Sequence, residues 1–392
     1  MDVAQGFKGL VDEVRGSFGE EIVALRRDIH REPELGFDTE KTAGKVLAAL
    51  EGLPLEIQTG VAQNGIVATL EGAGDGPTIA LRADMDALPI HEETGLPFAS
   101  GTDGKMHACG HDGHTSMLVG AAKALSGMRE GLNGTVKFVF QPAEEGGGGG
   151  KVMVEEGVAE GVDQIFALHL WPGLPFGTAA TKAGPIMAAA DKFELEIKGT
   201  GGHGAMPHLA ADAIVVAAHV ATALQTIVSR EADPVQPAVV TIGEIGAGTA
   251  FNIIPETARM GGTVRTIDDD LRHRIPERME SLVKGLAGGM RADAELDYTF
   301  SYPVTRNDPE AAALALRVAA SLFGEDRAAE PAYPSMGGED FAFFLEKLPG
   351  AYVWLGVGDV SGLHTPQFAF DEEILPRGAA LLTAIALEAL SG

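Results

Sequence analysis

Four short apolar runs, residues 78–82, 135–141, 164–170 and 352–357, each lead into a side chain that can bind a metal or carry a proton. Runs of this length and content read as buried strands. Asp86 follows the first, Glu144 and Glu145 the second, and His364 the fourth, while His169 lies near the end of the third. In open α/β sheets ligands bind outside the carboxyl ends of the strands. Residues far apart in sequence would therefore converge on one sheet edge. Helical spacing over 20–31, 39–50 (with Thr39 as N-cap), 116–125, 310–323 and 374–390 supplies the flanking elements of an α/β class.

The densest chemistry lies in residues 106–114, M-H-A-C-G-H-D-G-H, which hold three His, one Asp and the single Cys of the chain. Cys109 and His111 are two apart, so in an extended segment they share a side. A lone Cys is ordinarily a small buried hydrophobe. The surrounding His and Asp turn the reading toward a metal ligand. After the second run, Glu144 and Glu145 precede five glycines, Gly146 to Gly150, that let the backbone pass close to something. Gly150-Lys151 resembles the end of a phosphate loop, but Glu145 and Val152 stand where that motif needs Gly and Ser or Thr. A lone His169 would more often be a satisfied core histidine.

A different pattern fills 186–302. Strands at 192–198, 238–245, 258–266 and 294–302 alternate with helices at 212–229 and 270–286, giving the β-α-β-β-α-β order of a split βαβ unit. This reads as a domain inserted into a catalytic one formed by 1–185 and 303–392. A Gly-rich loop at 199–207 carries His203.

With 56 acidic against 29 basic residues the net charge is −27, which argues against nucleic acid and anionic membranes as partners. The most apolar window, 211–228, still holds Asp212, His219 and Gln225 and reads as an amphipathic helix. Asp2, Lys8, Asp12, Glu13 and Arg15 interrupt the apolar residues of the N-terminus, which has no signal-like pattern. One Cys excludes an internal disulfide and fits a reducing, cytoplasmic location.

Cys109, His111, Glu145, His169 and His364 exceed the three protein ligands of a mononuclear catalytic zinc. Shared between two ions they would leave positions for water and substrate. Glu144, beside Glu145, is the candidate general base.

The motifs R-A-D-M-D-A-L-P (82–89), M-H-A-C-G-H-D-G-H, Q-P-A-E-E (141–145), H-L-W-P (169–172), G-G-H-G-A-M-P-H (201–208), F-N-I-I-P (251–255), M-G-G-E-D-F (336–341) and L-H-T-P (363–366) run in order over most of the chain. As a set they resemble the aminoacylase, hippurate hydrolase and auxin-conjugate hydrolase branch of the dinuclear metallopeptidase-like amidohydrolases. That resemblance implies a metallopeptidase-like domain with a central mixed sheet flanked by helices, and an inserted ferredoxin-like domain acting as lid and dimerisation unit in a homodimer or larger homo-oligomer. It implies two divalent ions (Zn, Mn, Co or Ni) on Cys109, His111, Glu145, His169 and His364, with Glu144 as acid/base. His203 would stabilise the oxyanion, and Asn252, Arg265 and Gly338 would bind substrate. Asn252 could equally cap a turn, and Arg265 could pair on a strand face. Distant peptidase relatives carry a ligand His where Asp84 stands, so Asp84 is left out of the ligand set, and Asp86 and Asp112 are expected to support it. His107 and His114 have no expected role. The activity implied is hydrolysis of N-acyl amino acids. A carboxypeptidase on the same site, a hydrolase with Cys109 as nucleophile, and a metal-dependent binding protein are the alternatives.

Overall fold

The computed structural model describes Phe7 and residues 9–391. Asp2 and Lys8, two charges of the N-terminal pattern, lie outside the described residues, as does Gly392. Helices α1 (Leu10–Arg31) and α2 (Glu40–Leu50) precede strands β1 (Glu56–Val61), β2 (Gly65–Glu71) and β3 (Gly74–Asp84). Then come α3 (His111–Gly127), β4 (Asn133–Gln141), α4 (Gly149–Glu155), β5 (Gln164–Pro172), β6 (Ala179–Ala180) and β7 (Gly184–Met187). Next are β8 (Ala189–Lys198), β9 (Gly202–His203), α5 (Ala213–Thr226), β10 (Ala238–Ala247), β11 (Ile253–Ile254), β12 (Thr257–Thr266), α6 (Asp269–Gly289) and β13 (Asp293–Tyr302). The chain ends with β14 (Thr305–Asn307), α7 (Pro309–Phe323), β15 (Ala328–Ala329), α8 (Ala342–Leu345), β16 (Gly350–Gly358) and α9 (Ile374–Ser391).

Two compact units result. One contains the chain up to Ile186, Arg306–Tyr333 and the chain from Asp340 on; the other contains Met187–Thr305 and Pro334–Glu339. The sequence reading keeps 334–339 in the catalytic segment. The structure groups it with the second unit because Met187 bridges Ser335 and the Ala188 N–H donates to the carbonyls of Ser335 (3.0 Å) and Gly337 (2.9 Å). Such pairing leaves no local pattern.

The first unit is built on an eight-stranded mixed sheet in the order β1-β2-β4-β3-β5-β16-β6-β15. The neighbours β4, β3, β5 and β16 are mutually parallel. Their carboxyl ends therefore share one edge, as the placement of Asp86, Glu144, His169 and His364 requires. The middles of these strands are largely apolar because the sheet is covered: α3 and α9 pack on β3 and β5, and α7 packs on β16. Burial of Phe138, Phe140, Phe166, Val353 and Leu355 stabilises this core by about 1.5–3 kcal/mol per side chain. Helix α9 is apolar and long enough to cross a membrane, but it is mostly buried and serves as a core helix.

Other features also depart from the sequence reading. Helix α1 starts at Leu10 rather than residue 20, with Leu10 and Val14 continuing the buried stripe of Ile22 and Ile29 past Gly16 and Gly19. Strand β1 has no expected counterpart, since only Val61 of it is buried. Thr39 occupies the N-cap of α2, but its hydroxyl makes no capping bond. The Glu34 carboxylate caps instead, accepting from the N–H groups of Lys41 (3.1 Å) and Thr42 (2.8 Å).

The second unit holds an antiparallel four-stranded sheet in the order β10-β12-β8-β13. Counting its strands along the chain, this is the 4-1-3-2 order of a split βαβ fold. Phe193, Leu195 and Ile197 alternate into a core that receives Val216, Val220 and Leu224 of α5 and Leu271, Ile275, Met279 and Val283 of α6. Spacing of four along each helix keeps these residues on one stripe.

Candidate metal centre

All five expected ligands lie in the first unit, and their donor atoms meet. Cys109 Sγ is 3.3 Å from His169 Nε2 and 3.3 Å from His364 Nε2, which is 3.2 Å from Glu145 Oε1. His111 Nε2 lies 3.9 Å from Glu145 Oε1 and 4.0 Å from Glu144 Oε2. Among the sets whose donors lie within 4.8 Å of one another are Cys109, His111 and His169; Cys109, Glu145 and His364; and His111, Glu144 and Glu145. Cys109, His111, Glu144 and His169 are buried, Glu145 is partly so, and exposed His364 marks the open side.

Local backbone chemistry delivers these groups. Gly110, at φ +88°, turns the chain between Cys109 and the first residue of α3, so that His111 enters the helix beside Cys109. Ala143 (φ +58°) and His364 (φ +61°) hold left-handed conformations that are unfavourable for residues with a Cβ, a local cost of about 1–3 kcal/mol each. They redirect the chain just after β4 and at the last candidate ligand itself. The glycine run lets the backbone pass its own turn: a Cβ on Gly149 would sit 1.7 Å from the Pro142 carbonyl oxygen.

The hydrogen bonds fix the histidine tautomers. His111 Nδ1 donates to the Asp86 carbonyl at 2.8 Å and His169 Nδ1 donates to the Leu170 carbonyl at 2.7 Å. Each neutral ring therefore turns a lone pair at Nε2 into the cluster, as metal-ligating histidines held by a second hydrogen bond do. His111 Nε2 is buried with no hydrogen-bond partner. An orphaned buried ring nitrogen, a thiol and carboxylates at one point fit a divalent cation.

Electrostatics point the same way. Burial would depress His111, but Asp84, Asp86 and Glu145 outweigh it and raise the imidazole to about 10. Burial, reinforced by Glu145, Glu144 and Asp84, pushes the Cys109 thiol well above its usual value. Burial opposes ionisation of Glu145, yet His364 and His111 still hold its carboxyl below the ordinary range. The site is an anionic pocket that draws protons in place of a cation.

Asp86 supports the centre more fully than its sequence position suggests. Its carboxylate accepts from the N–H of Glu144 at 2.9 Å and of Glu145 at 3.0 Å, while its carbonyl holds His111. Asp112 does not take the supporting role expected of it. Its carboxylate binds Arg26 Nε (2.7 Å) and His30 Nδ1 (2.8 Å) in a buried ion network, and makes no hydrogen bond or ion pair with the five candidate ligands. Asp84 binds Arg82 (2.7 Å) and His114 Nδ1 (2.7 Å), and with His111 and His114 it forms a further group whose donor atoms lie within 4.8 Å of one another. His114, left without a role by sequence, accepts from the Leu170 N–H at 2.9 Å and so fixes the backbone beside His169. Arg82, Gln141 and Asp340 form a further buried network. Asp340 accepts from Arg82 (2.8 Å), Gln141 (2.8 Å) and the Gly150 N–H (2.7 Å), tying the glycine run to the sheet. Arg82 and Gln141 as polar ends of apolar strands were the available signal; their partner Asp340 was not.

The remaining expected residues lie in the second unit, in two clusters. His203, on β9, and Asn252, just before β11, are exposed, and the Gly204 N–H donates to the Asn252 carbonyl at 2.8 Å. The Ala205 N–H donates to His203 Nδ1 at 3.0 Å, which in the neutral ring leaves the proton on Nε2 as a donor. Asn252 makes no turn-capping bond with its side chain among the described residues. Arg265, on β12, adjoins Gly338: a Cβ on Gly338 would lie 3.0 Å from the Arg265 guanidinium.

Comparison with known proteins places residues 80–388 under the model of peptidase family M20/M25/M40. The N-acetylcysteine deacetylase of Bacillus subtilis is 43% identical over 378 residues, 95% of this chain and 99% of that protein. Thermostable carboxypeptidase 1 of Saccharolobus solfataricus is 38% identical and spans 99% of each. Among solved structures, a Bacillus subtilis protein described as a dinuclear metal-binding peptidase of the M20 family superimposes with a TM-score of 0.85 at 40% identity, over 96% of this chain and 99% of that one.

Proposed function

The chain belongs to the M20/M25/M40 peptidase family, and from that footing we propose that it is an amidohydrolase removing the acyl group of N-acyl amino acids. Cys109, His111, Glu145, His169 and His364 would hold two divalent ions, of Zn, Mn, Co or Ni. The observation that carries this is the convergence of a thiol, three imidazole Nε2 atoms and a carboxylate on one anionic pocket, with His111 Nε2 unsatisfied. Bound there, the ions supply Lewis-acid polarisation of the amide carbonyl and lower the pKa of an attacking water.

The chain's own residues do the rest. Glu144, held through its N–H by Asp86, takes a proton from the attacking water on its carboxylate and returns it to the amide nitrogen as the C–N bond breaks. His203 Nε2–H offers a hydrogen bond to the oxyanion. Arg265 receives the substrate's carboxylate. It has no ion pair or side-chain hydrogen bond among the described residues, and the acid whose field reaches it, Asp191, is occupied by Arg272, Tyr298 and the Ser301 N–H. A thiol kept protonated by burial and carboxylates is the reverse of an activated nucleophile, which weighs against Cys109 as the attacking group.

Carboxypeptidase action is the second reading, favoured by the Saccharolobus relative. Initial rates on N-acetyl-methionine, hippurate and dipeptides decide between them. The N-acyl substrates are expected to exceed the dipeptides in kcat/KM by about tenfold or more. The opposite ranking would make the enzyme a peptidase.

The second unit is also the expected dimerisation surface. Residues 213–229, α5 and its extension, carry no charged side chain in a chain of net charge −27, and Ile214 and Val215 are exposed there. We expect the protein to sediment as a dimer and V215E to shift it to monomer; a wild-type monomer at micromolar concentration would end this reading.

A further inference from the structure

The contact between Gly338 and Arg265 says more than that both lie near a substrate. A Cβ at residue 338 would stand 2.6 Å from Ala190 Cβ and 3.0 Å from Arg265 Nη1. Ala190 cannot retreat: it lies on β8 between β12 and β13, in register with Arg265 on one side and Tyr302 on the other. The segment bearing Gly338 is pinned as well. The Ala188 N–H donates to the carbonyls of Ser335 and Gly337, and the Gly337 N–H donates to Ser335 Oγ at 3.0 Å. The guanidinium, at the end of a flexible side chain, is the one neighbour free to yield.

We propose that Gly338 is a positioning residue which, with Ala190, forms a seat fixing the Arg265 guanidinium and thereby sets the enzyme's selectivity for substrates bearing a free carboxylate. This rests on the proposed role of Arg265. Gly338 then acts through the space left by its missing Cβ rather than by touching substrate. A half-buried guanidinium with no ion pair among the described residues is held in place by shape, so the bulk of its seat decides where its N–H groups stand for a bidentate partner. A displacement of a fraction of an ångström weakens such a pair while leaving the reacting groups alone.

Kinetics on N-acetyl-methionine and its carboxamide, using G338A, R265M and the double variant, test the proposal. G338A is expected to raise KM for the acid about tenfold with kcat within about twofold, and to leave KM for the carboxamide unchanged. In the R265M background G338A should add nothing, because the group it displaces is gone. A190G combined with G338A should restore KM by letting the new methyl shift toward β8. A190V, which adds bulk from the opposite wall, should reproduce the split if G338A folds poorly. Equal losses from G338A with and without Arg265, or a fall in kcat on both substrates, would overturn the seat. If R265M itself does not discriminate acid from carboxamide, the carboxylate-binding role of Arg265 fails, and that outcome is separate from a failure of coupling.

Discussion

Glu144→Gln is expected to lower kcat by about 10³-fold while leaving metal content and KM near their wild-type values. General acid–base catalysis contributes about 10²–10⁴-fold when a positioned group moves the proton in the transition state. Glu144 is buried beside the candidate ligands, and its backbone is clamped by Asp86 Oδ1 at 2.9 Å. The amide has the same shape and keeps that clamp, because the clamp uses the main-chain N–H. What it loses is the capacity to take a proton from water and pass it to the leaving nitrogen. The loss should therefore appear in kcat and kcat/KM alike, the pattern of an interaction made only in the transition state. Turnover near wild type in a fully metallated variant would remove Glu144 from the chemistry.

Stripping the protein with a chelator should abolish hydrolysis, and re-supply of Zn²⁺, Mn²⁺, Co²⁺ or Ni²⁺ in turn should restore it with at least one ion. Ion binding can also be followed without substrate. The chain has two tryptophans, Trp171 and Trp354, stacked at 4.1 Å, and Trp171 is 5.6 Å from the His169 ring. A titration should change their fluorescence. The pH dependence has a definite sign. In the metal-free site His111, at about 10, and the Cys109 thiol, pushed well above its usual value, both keep their protons at neutral pH. A cation must displace those protons, so affinity rises with pH and each mole bound releases acid. From pH 8 to pH 6, affinity should fall by about a hundredfold for each proton displaced. Binding that is flat with pH, or activity surviving verified metal removal, would contradict the assignment of these two ligands.

Part of the candidate site was legible because Asp86, Glu144, Glu145, His169 and His364 lie near or past the ends of strands, which are visible as breaks in apolar runs, whereas Cys109 and His111 stood out by the density of His, Asp and Cys around them. Parallel neighbours β4, β3, β5 and β16 necessarily put those ends on one edge. The inserted unit was readable for a related reason: alternation in F-E-L-E-I and four-residue spacing in α5 and α6 are local signatures of one-sided burial. Less was visible where no such periodicity exists. Strand β1 is nearly all exposed, and the first half of α1 is broken up by glycines.

The sequence by itself determined the α/β and split βαβ patterns and the edge at which the candidate ligands gather, since these follow from side-chain type and from the two- and 3.6-residue periods of the backbone. Only the tertiary structure decided which atoms face inward. The Asp86 carbonyl chooses the tautomer of His111, and its carboxylate seats both Glu144 and Glu145. Asp112 turns away to Arg26, Asp340 anchors the glycine run, and Pro334–Glu339 joins the second unit. Each of these is a contact between residues far apart in the chain or a choice between two faces of one residue. Burial decides such choices by the cost of leaving a polar atom unpaired, and that cost is set by neighbours that a linear pattern does not bring together.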